Sequence, residues 1–291
     1  MSDPLFRADD NVNGTLADTT HGDREVLIHL QPALVPATIS RPSSKSLFML
    51  LAGIAATAAF FLLGARLTAT ALLGVLSVLG LFPEWRQHGR WPLTLFCFCA
   101  LSLAIQNQYL SVGYPFSNIF ILTGLLCLFF VSGRPWQELH LAPGTARKWS
   151  RPALLCGLLL AALILAIYFQ RPEWVGKNPT PRQWPVDVLF VVALGYATFS
   201  MLMEETIFRG VLLAAAQPHV PPGLAIVAQA SVFAAAHYAA GFPTQAVGAL
   251  LTFGWGAAAG WITLKAGSIY PAYILHFVLV LVLFLVLAFA S

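Results

Sequence analysis

Five ionisable side chains stand inside apolar stretches of this 291-residue chain: Glu204, Glu205, Arg209, His237 and His276. Among the 12 acidic residues, only the adjacent Glu204 and Glu205 are embedded in an apolar run. A charged side chain at membrane depth costs about 2.5–3.5 kcal/mol even on the most lenient insertion scale. Ionisable side chains in such surroundings indicate a functional site.

The stretch around the two carboxylates predicts different roles for them. In a helix, Glu205 and Arg209 are four residues apart, so they share a face and can form an ion pair. Glu204 is rotated from Glu205 by about 100° and points elsewhere. A carboxylate that faces a cavity can act as a general base on water. Glu204 is therefore the candidate base, and the Glu205–Arg209 pair is the candidate structural support.

Two further apolar stretches each contribute one histidine. His237 follows Phe233 by four residues, and His276 lies about one turn into the last apolar run. Together with Glu204, the two imidazoles could bind a metal as His₂Glu, a ligand set of catalytic zinc sites with an open position. Without metal, the same groups could position and deprotonate a water, with a histidine donating to the oxyanion. Both routes hydrolyse a carbonyl compound in the membrane, and the residues alone do not choose between them.

Apolar helices must position these side chains. Hydrophobic residues make up 58% of the chain and charged residues 10%, with a mean hydropathy of +0.75, which excludes an ordinary soluble globule. Each apolar run approaches the roughly 20 residues that a helix needs to cross about 30 Å of hydrocarbon. We therefore predict an all-α, polytopic transmembrane helical bundle with eight or nine spanning helices, from the runs 46–64, 67–83, 92–107, 116–132, 152–169, 186–203, 223–240, 244–264 and 271–290.

The chain divides into three predicted parts. Residues 1–45 are polar and predict a disordered N-terminal tail. Residues 46–185 carry the N-terminal transmembrane helices. Residues 186–291 carry the polar groups and are dense in glycine and alanine, which lets helix backbones approach closely in lipid. This last part is the predicted catalytic core.

The net charge of +4 comes from basic residues that flank the apolar runs, so it indicates membrane topology and not nucleic-acid binding. With nine spans, most of the 16 basic residues fall on the side of the N-terminus, which predicts a cytoplasmic N-terminus. The predicted partners are the lipid bilayer and a membrane-associated protein or peptide substrate. All four cysteines lie in apolar runs and imply neither a disulfide framework nor a zinc site.

Three motifs in this order resemble a known family. They are Glu-Glu-x-x-x-Arg at 204–209, Phe-x-x-x-His at 233–237, and a histidine after Gly-Ser-Ile-x-x-Pro at 267–276. They are similar to the motifs of CAAX prenyl protease 2-like intramembrane proteases, the broad bacterial family also called CPBP or Abi. The resemblance covers about residues 186–291, where the three motifs follow one another in the order that the family has.

The resemblance implies an endopeptidase of a bacterial cytoplasmic (inner) membrane. Glu204 would activate water, His237 would assist it, and His276 would lie in the oxyanion or metal site. Structural support would come from Glu205, Arg209 and Phe233. The implied cofactor is either a divalent metal such as zinc, held by Glu204, His237 and His276, or none.

One position departs from the family pattern. The third motif usually reads His-x-x-x-Asn, whereas Val280 stands four residues after His276. That asparagine would help to hold the oxyanion or the water, and the loss of one oxyanion donor typically lowers a rate by about 10²–10³. The site is therefore slow, inactive or completed by another residue, for which Tyr238 and Tyr273 are candidates.

The predicted helix boundaries also conflict with a shared site. On a simple nine-span arrangement, His237 and His276 fall near opposite membrane surfaces. The conflict is removed if the helix with Glu204 continues to about residue 216, or if the segment 244–264 is broken at its glycines.

Two functions from other classes compete with the protease. A catalytically impaired membrane scaffold or immunity protein is favoured by Val280. A proton-coupled transporter is favoured by carboxylates and histidines at membrane depth, although the chain lacks the internal repeats on which many transporters are built.

Overall fold

The computed structural model describes residues 42–107, 116–175, 185–240 and 242–290. Most of the predicted tail, residues 1–41, lies outside the described residues, so its disorder stays a prediction. The described chain forms helices and no strand. Its main helices are α1 (Ser44–Leu62), α2 (Arg66–Leu79), α3 (Arg90–Gln106), α4 (Phe116–Val131), α5 (Ala146–Gln170), α6 (Val186–Ala216), α7 (Pro222–Ala239), α8 (Gln245–Ala266) and α9 (Tyr270–Ala290).

Helix α6 is longer than the apolar run that predicts it. It continues without a break from Val186 to Ala216, and α8 is also unbroken. Of the two ways in which His237 and His276 could share a site, the continuation of the Glu204 helix to about residue 216 is therefore the one that the structure has. Helix α6 changes from α to π geometry over Thr206–Leu212, directly after the two carboxylates. Short π segments inside helices are frequent at functional sites, because the wider turn redirects side chains.

Small residues allow α7 and α8 to pack closely. A methyl group added to Gly256 would lie 3.1 Å from the ring of Phe233, and one added to Gly260 would lie 2.8 Å from Nε2 of Gln229. The same Gln229 nitrogen donates a 2.8 Å hydrogen bond to the carbonyl oxygen of Gly256. Interhelical contacts of this kind replace the hydrophobic driving force that is missing between helices in lipid.

Five helices among the described residues are long and apolar enough to cross a membrane: α1, α5, α6, α8 and α9. Helices α2, α3 and α4 have 14 to 17 residues, fewer than the roughly 20 that a full crossing needs. The predicted count of eight or nine spanning helices is therefore not confirmed, although the helical bundle is. Large apolar side chains point outward, as Val131 does with 86% exposure, and suit an integral membrane protein.

Two histidines meet outside the long apolar helices. His88 follows α2, His219 follows α6, and their ring centroids are 6.1 Å apart. Nδ1 of His88 lies 2.9 Å from the hydroxyl of Ser46 at the start of α1. Burial lowers the pKa of His219 to about 4, and the positive charges of Arg134 and Arg90 add to this effect, as does His88. Burial also lowers the pKa of His88.

We expect the protein to lose stability on acidification because of His219. Unfolded histidine titrates near pH 6.5, so between about pH 6.5 and 4 the unfolded chain binds the proton that folded His219 excludes. The free energy of unfolding should fall by up to about 1.4 kcal/mol per pH unit in this window. Thermal unfolding in detergent between pH 8 and 4 measures it, and His219→Phe should show a shallower slope. If the wild-type and His219→Phe proteins lose stability equally with falling pH, His219 is not the cause of the loss.

Candidate active site

The Glu205–Arg209 ion pair is the most deeply buried part of the candidate site. Nη1 of Arg209 donates a 3.1 Å hydrogen bond to Oε1 of Glu205, and both side chains are fully buried. The guanidinium group also lies over the ring of Phe233, 4.4 Å from its centroid. The contact expected from the i,i+4 spacing is thus present, and it persists although Arg209 lies in the π segment.

Glu205 has a second partner that the spacing does not reveal. Nδ1 of His276, on α9, lies 2.6 Å from the same Oε1 atom that accepts from Arg209. A carboxylate oxygen accepts hydrogen bonds, so Nδ1 must carry the hydrogen when Glu205 is ionised. Nε2 is then the nitrogen that His276 can offer to other groups. The pairing orients the imidazole, as a carboxylate or carbonyl partner commonly does for functional histidines.

Glu204 differs from Glu205 in exposure and in its contacts. Its side chain is 13% exposed, whereas that of Glu205 is fully buried. Oε2 of Glu204 lies 3.9 Å from Nε2 of His276. Oε1 of Glu204 lies 3.5 Å from Nδ2 of Asn118, on α4. Of the two carboxylates, Glu204 is therefore the one that a small molecule can approach.

His237 and His276 both lie next to the same two aromatic side chains, Trp255 and Phe233. The ring centroid of Trp255, on α8, lies 6.0 Å from that of His237 and 4.1 Å from that of His276. Phe233 lies 4.3 Å from His237 and 6.3 Å from His276 by the same measure. Nδ1 of His237 is 3.2 Å from the carbonyl oxygen of Phe233, so its Nε2 is the nitrogen that remains for other contacts.

Sequence reasoning missed two residues of this site. Trp255 is not part of any of the three motifs, yet it is buried against both histidines. Asn118 lies outside the three motifs, although it is a strongly polar residue in the largely apolar α4. Its polarity was the available signal. Its pairing with Glu204 across 86 positions of sequence was not readable, because no local pattern spans that distance.

Several buried polar atoms around the site have no hydrogen-bond partner among the described residues. They are Oε2 of Glu205, Nε and Nη2 of Arg209, and Nε1 of Trp255. Buried polar atoms in folded proteins are nearly always hydrogen-bonded, to protein or to solvent. These atoms therefore suit a polar ligand, such as a water molecule or a peptide group.

The placement of Glu204, His237 and His276 bears on whether they could hold a metal ion. Within the described part of the chain, no group of three or more His, Cys, Asp or Glu side chains is arranged to hold a metal ion. As placed, Glu204, His237 and His276 do not form a three-ligand centre.

Residues 185–282 match the family model described as type II CAAX prenyl endopeptidase Rce1-like. This segment is therefore similar to the Rce1-like family. The resemblance inferred from the three motifs is thereby confirmed. No curated protein and no solved structure matches the chain.

The Rce1-like segment is about a third of the chain and contains all three motifs. It begins with α6 and ends within α9, so Val280 also falls inside it. Asn118 does not. The matched family is one of type II CAAX prenyl endopeptidases, and the five long apolar helices agree with an integral membrane protein.

Proposed function

We propose that this protein is an intramembrane endopeptidase that hydrolyses a peptide bond of a membrane-associated protein or peptide, with Glu204 as the general base. The observation that carries the proposal is the distance of 3.9 Å between Oε2 of Glu204 and Nε2 of His276, next to a second carboxylate, Glu205, that forms an ion pair with Arg209. At this separation, one water can lie within hydrogen-bond distance of both atoms.

The two acceptor atoms would orient that water. With hydrogen on Nδ1, Nε2 of His276 accepts one hydrogen bond from the water, and Glu204 accepts the other. The lone pairs of the water oxygen are then free to attack a carbonyl carbon. Glu204 takes the proton as the C–O bond forms and passes it to the amide nitrogen as the C–N bond breaks. The products are a carboxylic acid and an amine.

His237 would act on the substrate carbonyl. Its Nδ1 is held by the carbonyl oxygen of Phe233, which directs Nε2 away from its own helix. In the protonated form, Nε2 donates a hydrogen bond to the oxyanion of the tetrahedral intermediate. Donors placed where negative charge develops are among the largest contributions to catalysis. Phe233 and Trp255 would exclude bulk water from these groups. The lower local dielectric would strengthen the hydrogen bonds that the groups make with the substrate.

The direct test is hydrolysis in ¹⁸O-labelled water. The purified protein in liposomes should cleave a membrane-anchored peptide, with or without a prenylated cysteine, and the new carboxyl terminus should contain one ¹⁸O atom. Metal content and activity after dialysis against a chelator are measured on the same sample. If neither the prenylated nor the unprenylated peptide is cleaved, the result would instead favour a membrane scaffold or immunity protein. Val280, in place of the usual asparagine, is the feature that favours this alternative.

We expect His237→Ala to lower kcat by about 10²–10³, because it removes the proposed oxyanion donor. The measurement is the initial rate of cleavage of the same peptide, with the wild-type protein alongside. Ser231→Ala is the matched control, since Ser231 lies on α7 and donates its hydrogen bond to the carbonyl oxygen of Val227 on the same helix. Equal rates for His237→Ala and Ser231→Ala would remove His237 from the mechanism.

A further inference from the structure

The position of the missing asparagine of the third motif is occupied by an apolar residue, Val280. Val280 lies one helical turn after His276, on the same face of α9, because the two are four residues apart. A valine side chain can neither donate nor accept a hydrogen bond. An amide that acts on Glu204 or its water must therefore come from another part of the chain.

Helix α4 brings an amide to Glu204. It packs against α6 both before and within the π segment. Asn118 lies in its first turn, and its Nδ2 is 3.5 Å from Oε1 of Glu204. The rest of α4 is apolar apart from Ser117 and Thr123. A polar amide in such a helix is unfavourable in lipid unless it has a hydrogen-bonding partner. The carboxylate of Glu204 is such a partner for Asn118.

The two oxygens of Glu204 thus face different groups. Oε1 faces the amide of Asn118 and Oε2 faces the imidazole of His276. A carboxylate held at one oxygen cannot rotate freely about its last side-chain bond. The contact with Asn118 therefore keeps the other oxygen directed toward His276, where the water of the proposed mechanism would lie.

We propose that Asn118 is a positioning residue for Glu204, supplied from outside the Rce1-like segment in place of the asparagine that Val280 replaces. The inference rests on the proposed function, because it assigns Asn118 a role through the general base. It makes α4 part of the catalytic unit, so the Rce1-like segment alone is an incomplete site.

The test compares Asn118→Ala with Asn118→Asp in the full-length protein. Loss of a hydrogen bond to a charged group should lower kcat about 10-fold, with KM little changed. A donor stabilises the ionised carboxylate, so its removal should also move the acidic limb of the kcat–pH profile to higher pH. Asn118→Asp keeps the size of the side chain and should move the limb further, because a second carboxylate opposes ionisation of Glu204. Asn107→Ala, an exposed asparagine at the end of α3, is the control for the substitution.

A restored amide at position 280 sharpens the test. If Asn118 does the work of the missing asparagine, Val280→Asn should recover part of the lost kcat in the Asn118→Ala protein and change the wild-type protein much less. Unchanged kcat and pH profile in Asn118→Ala and Asn118→Asp, with Glu204→Gln inactive, would overturn the role of Asn118 and leave the proposed function intact. A fully active Glu204→Gln protein would overturn the proposed function itself.

Discussion

Replacement of Glu204 with Gln is expected to lower kcat by about 10²–10⁴ while the protein remains folded. The amide has nearly the shape of the carboxylate but cannot take a proton from water, and general-base catalysis contributes a factor of this size. The side chain is 13% exposed, so the change does not leave an uncompensated charge in a closed core. The measurement is the rate of peptide cleavage at saturating substrate, together with the thermal unfolding midpoint.

Asp187→Asn is the matched control for Glu204→Gln. It removes one acidic charge from the same helix, at an exposed position in the first turn of α6. Its cleavage rate should equal that of the wild-type protein. A Glu204→Gln protein that cleaves as fast as Asp187→Asn would end the assignment of Glu204 as the base.

Replacement of Glu205 with Ala is expected to lower the free energy of unfolding by about 3–5 kcal/mol and to abolish activity. The guanidinium group of Arg209 is fully buried and would lose its charged partner, which is the costly way to break a buried ion pair. His276 would lose the acceptor of its Nδ1 at the same time. Denaturation in mild detergent, followed by circular dichroism, measures the first effect, and the peptide assay measures the second.

A double substitution separates these two effects. When Arg209 is changed to Met in the Glu205→Ala protein, no charge is left unpaired, and most of the lost stability should return. Activity should not return, because His276 is still without its partner. Glu84→Ala is the control, since Glu84 forms an exposed ion pair with Lys45, and its loss should change stability by less than about 1 kcal/mol. If Glu205→Ala is as stable as Glu84→Ala, the buried pair has no structural role.

The pattern of apolar runs was sufficient to predict the helical bundle, because in lipid only helices and closed barrels satisfy their own backbone groups. It was not sufficient to predict how many helices cross. Helix α6 continues through the polar residues after 203, and α2, α3 and α4 fall short of a full span. Hydropathy reports the composition of a run, whereas helix ends also depend on which polar groups find partners inside the bundle.

The sequence by itself determined the candidate residues and their local relations. The i,i+4 contact of Glu205 with Arg209 follows from helix geometry alone, and three ordered motifs were enough to predict the similarity to the Rce1-like family. The assignment of catalytic roles to Glu204, His237 and His276 stays a prediction. These conclusions depend on neighbours in sequence or on their order, and both can be read directly from the chain.

Only the tertiary structure decided which groups meet across helices. It brought His276 to Glu205, placed Trp255 against both histidines, and put Asn118 beside Glu204 from a helix outside the matched segment. Each of these contacts joins residues on different helices. Helical periodicity determines which face a side chain occupies but not which helix lies opposite that face, because interhelical packing is set by the whole bundle.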